Sequence, residues 1–399
     1  MTTGTNSSRE TKRRRLLVVG GSHDHLGGVE AFCERGCIAL EARGRWSCDR
    51  VTAGSAYLTM RRIPLFLRSI GQLIHRGFVR RPDVAWIQYV NLPDLFYVVV
   101  ARAMGMRVMV TPHLGSNWRS QMNPFMRRLS KLLLHLTDRL ALISWTQEKE
   151  LLLPRSVPRS LIRNFLPDTV LSAPLIDGEQ LPAPIQLIHS SRLSEGKGTF
   201  MVVDVCRRLR DAGVPFFARI TGTGDAGTMQ RLHRMIADAR LESQVAVLGR
   251  VPENELLDHL RHSDVLIHLS RIDSYPLIVL EAMSCSTVPV VMELAGARDM
   301  VETYRGHVVS VSGAVDETVA WLEACDLQAL RRERRETAER VRTDYSWSNC
   351  ASALSRALDA CMDEQRETID EPRSDSRVTA DAPAVQAEPV TASSGTNLS

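Results

Sequence analysis

Residues 264–292, DVLIHLSRIDSYPLIVLEAMSCSTVPVVM, decide the fold of this chain. The first run, DVLIHLS, is short and nearly continuous in apolar residues, as a strand buried on both faces must be. The last, VPVVM, has the same character. Between them LIVLEAM reads as a helix, with Ser274 as its candidate cap and Pro276 in its first turn. A strand, a helix and a strand in so short a space mean a parallel sheet with a helical crossover. Two acids, Asp273 and Glu281, stand around the helix start. A capping Asp and a solvated Glu would account for them. The alternative is a sugar site, because helix amides favour an anion and a carboxylate accepts bidentately from a diol.

The same alternation runs upstream. IQLIHSS, FFARITG and QVAVLG are further strands, each followed by a helical segment, so residues 184–345 form one α/β domain. RRLLVVGG, DVAWIQYV, MRVMVTPH and DRLALIS are strands of an earlier domain, 15–168, and GGVEAFCERGCIALEARG and LPDLFYVVVARAMG are helices within it. A Pro-rich linker, 169–183, joins the two, and an amphipathic helix, 346–363, closes the chain's ordered part. The basic start, 1–14, and the Ser, Thr, Ala, Pro and acid-rich tail, 364–399, read as disordered. Two such domains leave a cleft at the carboxyl ends of their strands, where open α/β sheets bind ligands.

Apolar residues make up 44% of the 399 and charged residues 24%, the proportions of a soluble globular protein. Of eight cysteines only Cys33 and Cys37 come close together, which excludes a disulfide framework or a zinc ligand set and suggests reduced thiols. The opening MTTGTNSSRETKRRR has no signal-peptide core, and no apolar run reaches the ~18 residues of a membrane span. The chain is therefore expected in the cytoplasm, peripheral on the inner face of the cell membrane. The net charge of +4 hides a polarity: residues 1–165 carry 26 Lys plus Arg against 11 Asp plus Glu, and the remainder 24 against 35. The basic half is expected to meet an anionic partner. Within it, 57–81 and 117–136 mix Arg with apolar residues at helical spacing, which suits an anionic membrane surface. Core-facing helices with solvated basic edges are the competing reading. Stacking aromatics are few and no recognition motif appears, so no nucleic acid is expected.

In SSRLSEGKG, Arg192 and Lys197 flank a turn with Gly196 and Gly198 at a helix start. Two cations beside free helix amides suit a diphosphate, although a solvated turn has the same composition. ITGTGDAG spaces Gly222 and Gly224 closely after a strand without completing a dinucleotide fingerprint, and a plain tight turn competes.

In this order and spacing, RLSEGKG, the Gly222 and Gly224 turn, VAVLGRVPENEL, DSYPLIVLEAM and AGARDMVE, with GGVE near the start, resemble the retaining GT-B glycosyltransferases of glycosyltransferase family 4. The resemblance spans roughly 15–360 and implies two Rossmann-like domains facing across a cleft. Asp273 and Glu281 then match the family's E-x7-E motif, with Asp in the first place. By position the resemblance gives Arg192 and Lys197 the donor diphosphate, Glu281 the nucleotide ribose, and Asp273 the hydroxyls of the donor sugar. The amides of Ser274, Tyr275 and Leu277 would add to the phosphate and sugar site, and Gly249 and Arg250 would line the base pocket. In the first domain Gly27 and Gly28 would let backbone approach the diphosphate. His113, ending MRVMVTPH, matches a family His near the donor sugar, and Ser144, ending LALIS, matches a family Ser. A strand-end His that is only structural remains the alternative.

The resemblance implies transfer of a hexosyl group, mannose or glucose, from a nucleotide diphosphate sugar to a lipid-linked or polysaccharide acceptor, with retained configuration, in envelope or exopolysaccharide biosynthesis. No cofactor or metal is implied, because Arg192 and Lys197 stand in for a metal and no DxD-like pair stands out. The rivals are a nucleotide-sugar epimerase or hydrolase on the same fold and a non-catalytic partner subunit.

Overall fold

The apolar runs pair side by side as two six-stranded, wholly parallel sheets in the computed structural model, which describes residues 13–21, 28–55, 58–115, 118–176, 183–273 and 275–363. The first sheet contains β1 (Arg14–Val19), β2 (Trp46–Val51), β3 (Val84–Tyr89), β4 (Arg107–Pro112), β5 (Arg139–Leu142) and β6 (Arg159–Leu161), in the order β2-β1-β3-β4-β5-β6. The second contains β7 (Ile185–Ser190), β8 (Phe216–Thr221), β9 (Val245–Gly249), β10 (Val265–His268), β11 (Val288–Met292) and β12 (His307–Val309), in the order β12-β11-β10-β7-β8-β9. Each order reverses once, between β1 and β3 and between β7 and β10. Loops leave the sheet in opposite directions at such a point and open a crevice at the carboxyl ends.

Three of these strands, β2, β6 and β12, are not among the runs expected from sequence. All three lie at sheet edges, where β2 (WSCDRV) keeps polar residues toward water and β6 and β12 are only three residues long. Pro276 is also placed differently from the expectation. It precedes the helix Leu277–Ser284 as its cap residue, with φ −74° and ψ 114°, and so stands outside the first turn. The stretch expected as a linker begins inside a short helix, Asp168–Ser172, whose Val170 is buried. Ser274, Gly27, the tail 364–399 and most of the basic start lie outside the described residues.

The described residues form one compact unit. The closing helix Trp347–Met362 returns to the first sheet, where Asp359 pairs with Arg14 at 2.8 Å and Arg45 at 3.0 Å. In the second sheet Asp264, at the head of β10, is fully buried and receives the Arg331 fork at 2.8 and 2.9 Å. It also accepts from the Gln186 amide at 2.8 Å, which ties the helix Leu327–Asp344 to β7 and β10.

Both basic segments are helical, over Ile63–Arg80 and Pro124–Leu134, and the helix Leu95–Ala103 packs between them. Only Ser69 and Leu73 are buried in the first and Ser130 and Leu134 in the second. Phe78 remains 71% exposed and Phe125 73%, with Leu67, Val79, Phe96 and Leu132 also exposed. No helix among the described residues is long and apolar enough to cross a membrane.

Candidate active site

The crevice of the second sheet is built by the loops after β7 and β10. After β7 the chain passes Arg192, whose exposed guanidinium has no ion pair among the described residues, and turns through Glu195–Lys197 with the Ser194 hydroxyl capping the Lys197 amide at 3.3 Å. Gly198, at φ +77°, begins the next helix. A Cβ there would stand 2.2 Å from the Leu269 carbonyl oxygen, so glycine is what lets this turn lie on the loop after β10. The Arg271 amide donates to the Gly196 carbonyl at 2.8 Å across the same contact.

This packing brings Lys197 and Asp273 together, and the ammonium is ion-paired with Asp273 Oδ1. The other oxygen, Oδ2, accepts from His268 Nε2 at 2.9 Å. Burial by itself would raise the Asp273 carboxyl, but the His268 hydrogen bond and the Lys197 charge outweigh it and hold the group well below the usual carboxylate range. Beneath them His189 joins the two strands: its Nδ1 donates to the Ile267 carbonyl at 2.9 Å and its Nε2 accepts from the Ser191 hydroxyl at 3.0 Å. Burial pushes His189 down to about 4, so the ring is neutral at ordinary pH.

Gly222, Gly224 and Gly249 form the wall beside Arg192. The Gly222 amide donates to the Gly249 carbonyl at 2.7 Å, and the Leu193 amide to the Thr223 carbonyl at 2.9 Å. At Gly222, with φ +117°, a Cβ would meet the Ser191 carbonyl oxygen at 1.8 Å, so any side chain would push this wall off the β7 loop. Arg250 is exposed at the edge of the wall.

The carboxyl edges of the two sheets face each other. Gly28, which opens the helix after β1, lies so close to Leu277 that a Cβ would stand 3.2 Å from its Cδ1. Ser144, after β5, donates to Asp299 Oδ2 at 2.9 Å, and Asp299 lies on the helix after β11. Glu281 lies inward from Leu277 on the same helix. Burial raises its carboxyl to about 7, Arg35 of the first sheet's helix partly offsets this, and Glu253 adds to it. The Tyr275 hydroxyl pairs with that of Tyr345 at 2.6 Å, so its side chain is occupied in the core and only its backbone can serve a ligand. His113 sits at the end of β4 on the first sheet and shares no hydrogen bond or ion pair with the Lys197 cluster among the described residues. Its Nε2 lies 2.8 Å from Gln88 Oε1, its ring meets the edge of Phe32 at 5.2 Å, and burial pushes it down to about 4.

Sequence reasoning passed over His268, His189 and Gln88. Each is a polar residue near the carboxyl end of a largely apolar strand. That position was the available signal.

Residues 178–341 match the family model of the glycosyl transferases group 1. The putative colanic acid biosynthesis glycosyltransferase WcaL of Escherichia coli is 28% identical over 187 residues, 44% of this chain and 45% of WcaL. The amylovoran biosynthesis glycosyltransferase AmsK of Erwinia amylovora is 28% identical over 130 residues, 31% of each chain. This chain thus spans less than half the length of these two curated relatives. Among solved structures, Anabaena Alr3699/HepE in complex with UDP superposes with a TM-score of 0.67 at 14% identity, covering 87% of this chain and 100% of that one. The fold is GT-B, and residues 178–341 of this chain are similar to the glycosyl transferases group 1.

Proposed function

We propose that this protein is a retaining glycosyltransferase that moves a hexosyl group, mannose or glucose, from a nucleoside diphosphate sugar to a lipid-linked or polysaccharide acceptor in envelope or exopolysaccharide biosynthesis. The observation that carries this reading is the Lys197–Asp273 pair in the crevice between β7 and β10, with the Arg192 cation exposed on the neighbouring loop. The donor diphosphate takes Lys197 from Asp273, and the freed carboxylate turns to the sugar hydroxyls. Lys197 and Arg192 then neutralise the charge that grows on the diphosphate as its bond to the sugar breaks. No metal or further cofactor takes part in this reading. Glu281 accepts from the ribose, the Leu277 helix start adds its amides, and neutral His113 bonds a sugar hydroxyl. The UDP held by the Anabaena neighbour and the polysaccharide pathways of WcaL and AmsK agree with this assignment.

The acceptor side docks peripherally on the anionic inner face of the cell membrane. Support comes from the exposed Phe78 and Phe125, set on helices that also carry Arg68, Arg80, Arg127, Arg128 and Lys131. Apolar insertion and charge attraction act together on such a surface.

Thermal melts with UDP, GDP and ADP test the donor assignment. A ligand at a hundred times its Kd adds ~2.7 kcal/mol of stability. One nucleotide should raise the Tm, and its sugar conjugates should release it on incubation with acceptor. No stabilisation by any of the three refutes the reading.

A further inference from the structure

We propose that Gln88 is a positioning residue for His113, holding its proton on Nε2 so that Nδ1 is left to accept from a hydroxyl of the reacting sugar. The inference rests on the glycosyltransferase reading only for the identity of that hydroxyl.

Gln88 lies one residue from the end of β3 at the point where the first sheet's order reverses, and it is 2% exposed. Its side chain is clamped from above by Gly20, where a Cβ would come within 2.3 Å of Gln88 Cγ. Any other residue at position 20 would displace it. Held there, Gln88 Oε1 accepts from His113 Nε2 at 2.8 Å. The imidazole is braced on its other side by Phe32, and the backbone that carries it is fixed by the His113 amide on the Tyr89 carbonyl at 2.8 Å and by Gln147 Nε2 on the Pro112 carbonyl at 2.8 Å. A neutral imidazole has one N–H. With that proton committed to Gln88, Nδ1 carries the lone pair, and it has no partner among the described residues.

The other end of the amide points to a ligand. Gln88 Nε2 is buried and makes no hydrogen bond among the described residues, and Gln88 is one of the residues lining a cavity of about 90 Å³, with Gly20, Gly21, Asn91 and Trp118. A buried amide with an unmade bond is costly unless something completes it. A glutamine serving the fold alone would complete that bond within the fold. An oxygen of the sugar acceptor completes it.

The groups facing His113 are Phe32 from the helix Gly28–Ala42 and Gln88 from β3, neither of which titrates, and burial alone lowers its pKa. Substitution at position 88 therefore has a clean readout. The protein labelled with ¹⁵N-histidine is compared by NMR with Gln88→Leu and Gln88→Glu, and His113→Asn identifies the resonances. Wild type should show His113 protonated on Nε2 alone. Gln88→Leu should show mixed tautomers, with UDP-glucose turnover down about 10²-fold and KM little changed. Gln88→Glu still accepts from Nε2, so it should keep the tautomer while its new charge raises the His113 pKa by about 1–3 units. Its turnover should recover at high pH, with an acid limb displaced upward by the same amount. A purely structural glutamine would show neither the tautomer change nor the displaced limb. An unchanged His113 tautomer in folded Gln88→Leu, or an unmoved titration in Gln88→Glu, overturns the proposal. If the tautomer shifts but wild type consumes no glucose or mannose conjugate of UDP, GDP or ADP with any acceptor, the positioning role stands and the reading of the reaction is what fails.

Discussion

Asp273→Asn should tighten UDP binding while slowing transfer. In the free protein the Lys197 ammonium is already neutralised by Asp273, and the two side chains are only 17% and 20% exposed. A diphosphate sharing that ammonium stands ~5.5 Å from the carboxylate, where two unit charges repel by ~3 kcal/mol at an effective dielectric of ~20. Solvent and salt at the open side of the site reduce this to about half, and ~1.4 kcal/mol is a tenfold gain in affinity. Asparagine keeps an acceptor for His268, so the loop after β10 should hold its shape. Transfer should fall ~10–100-fold, the usual cost of losing a hydrogen bond to a charged group. Lys197→Ala should move binding the other way and lower turnover by ~10²–10³. Calorimetric titration with UDP at low and high salt is the assay, and the gain should shrink as salt rises. Equal or weaker UDP binding by a folded Asp273→Asn protein at low salt refutes the exchange of Lys197 between carboxylate and phosphate.

Glu281, raised by burial to about 7, has an unfolded value of ~4.3. Its contribution is therefore most favourable below ~4.3 and is lost as pH rises toward 7, by up to ~4 kcal/mol. Glu281→Gln should flatten the stability profile between about pH 5 and 8 in urea melts, and parallel profiles for the two proteins would contradict the burial argument. Replacing Arg127, Arg128 and Lys131 with Gln together should lower binding to anionic vesicles ~10²-fold, at ~1 kcal/mol per charge, and leave UDP affinity unchanged. Equal co-sedimentation of wild type and variant would rule out membrane docking through this helix. Asp264→Asn strips the buried Arg331 fork of its charge partner and should cost ~3–5 kcal/mol, read as a lower urea midpoint. A loss under ~1 kcal/mol would show that the fork does not hold the Leu327–Asp344 helix.

The sequence by itself determined the two parallel sheets and the position of the candidate site along the chain. Runs such as DVLIHLS and VPVVM have no polar face to offer water, so they had to be strands covered on both sides, and the helices between them forced parallel pairing. The order of RLSEGKG, the paired glycines and DSYPLIVLEAM placed Arg192, Lys197 and Asp273 on loops after strands, where the structure also has them. Strands β2, β6 and β12 escaped because an edge strand is half solvated or very short, and its pattern then matches that of a loop. What only the tertiary structure decided is which lone polar residues meet. His189 and Ile267 are 78 positions apart, and Lys197 and Asp273 are 76 apart, joined only because β10 was laid beside β7. Gln88 could not be told from any other polar residue at a strand end until β4 placed His113 against it. The raised carboxyl of Glu281 and the neutrality of His113 follow from burial, which local pattern does not specify, because desolvation depends on what the rest of the chain brings against the group.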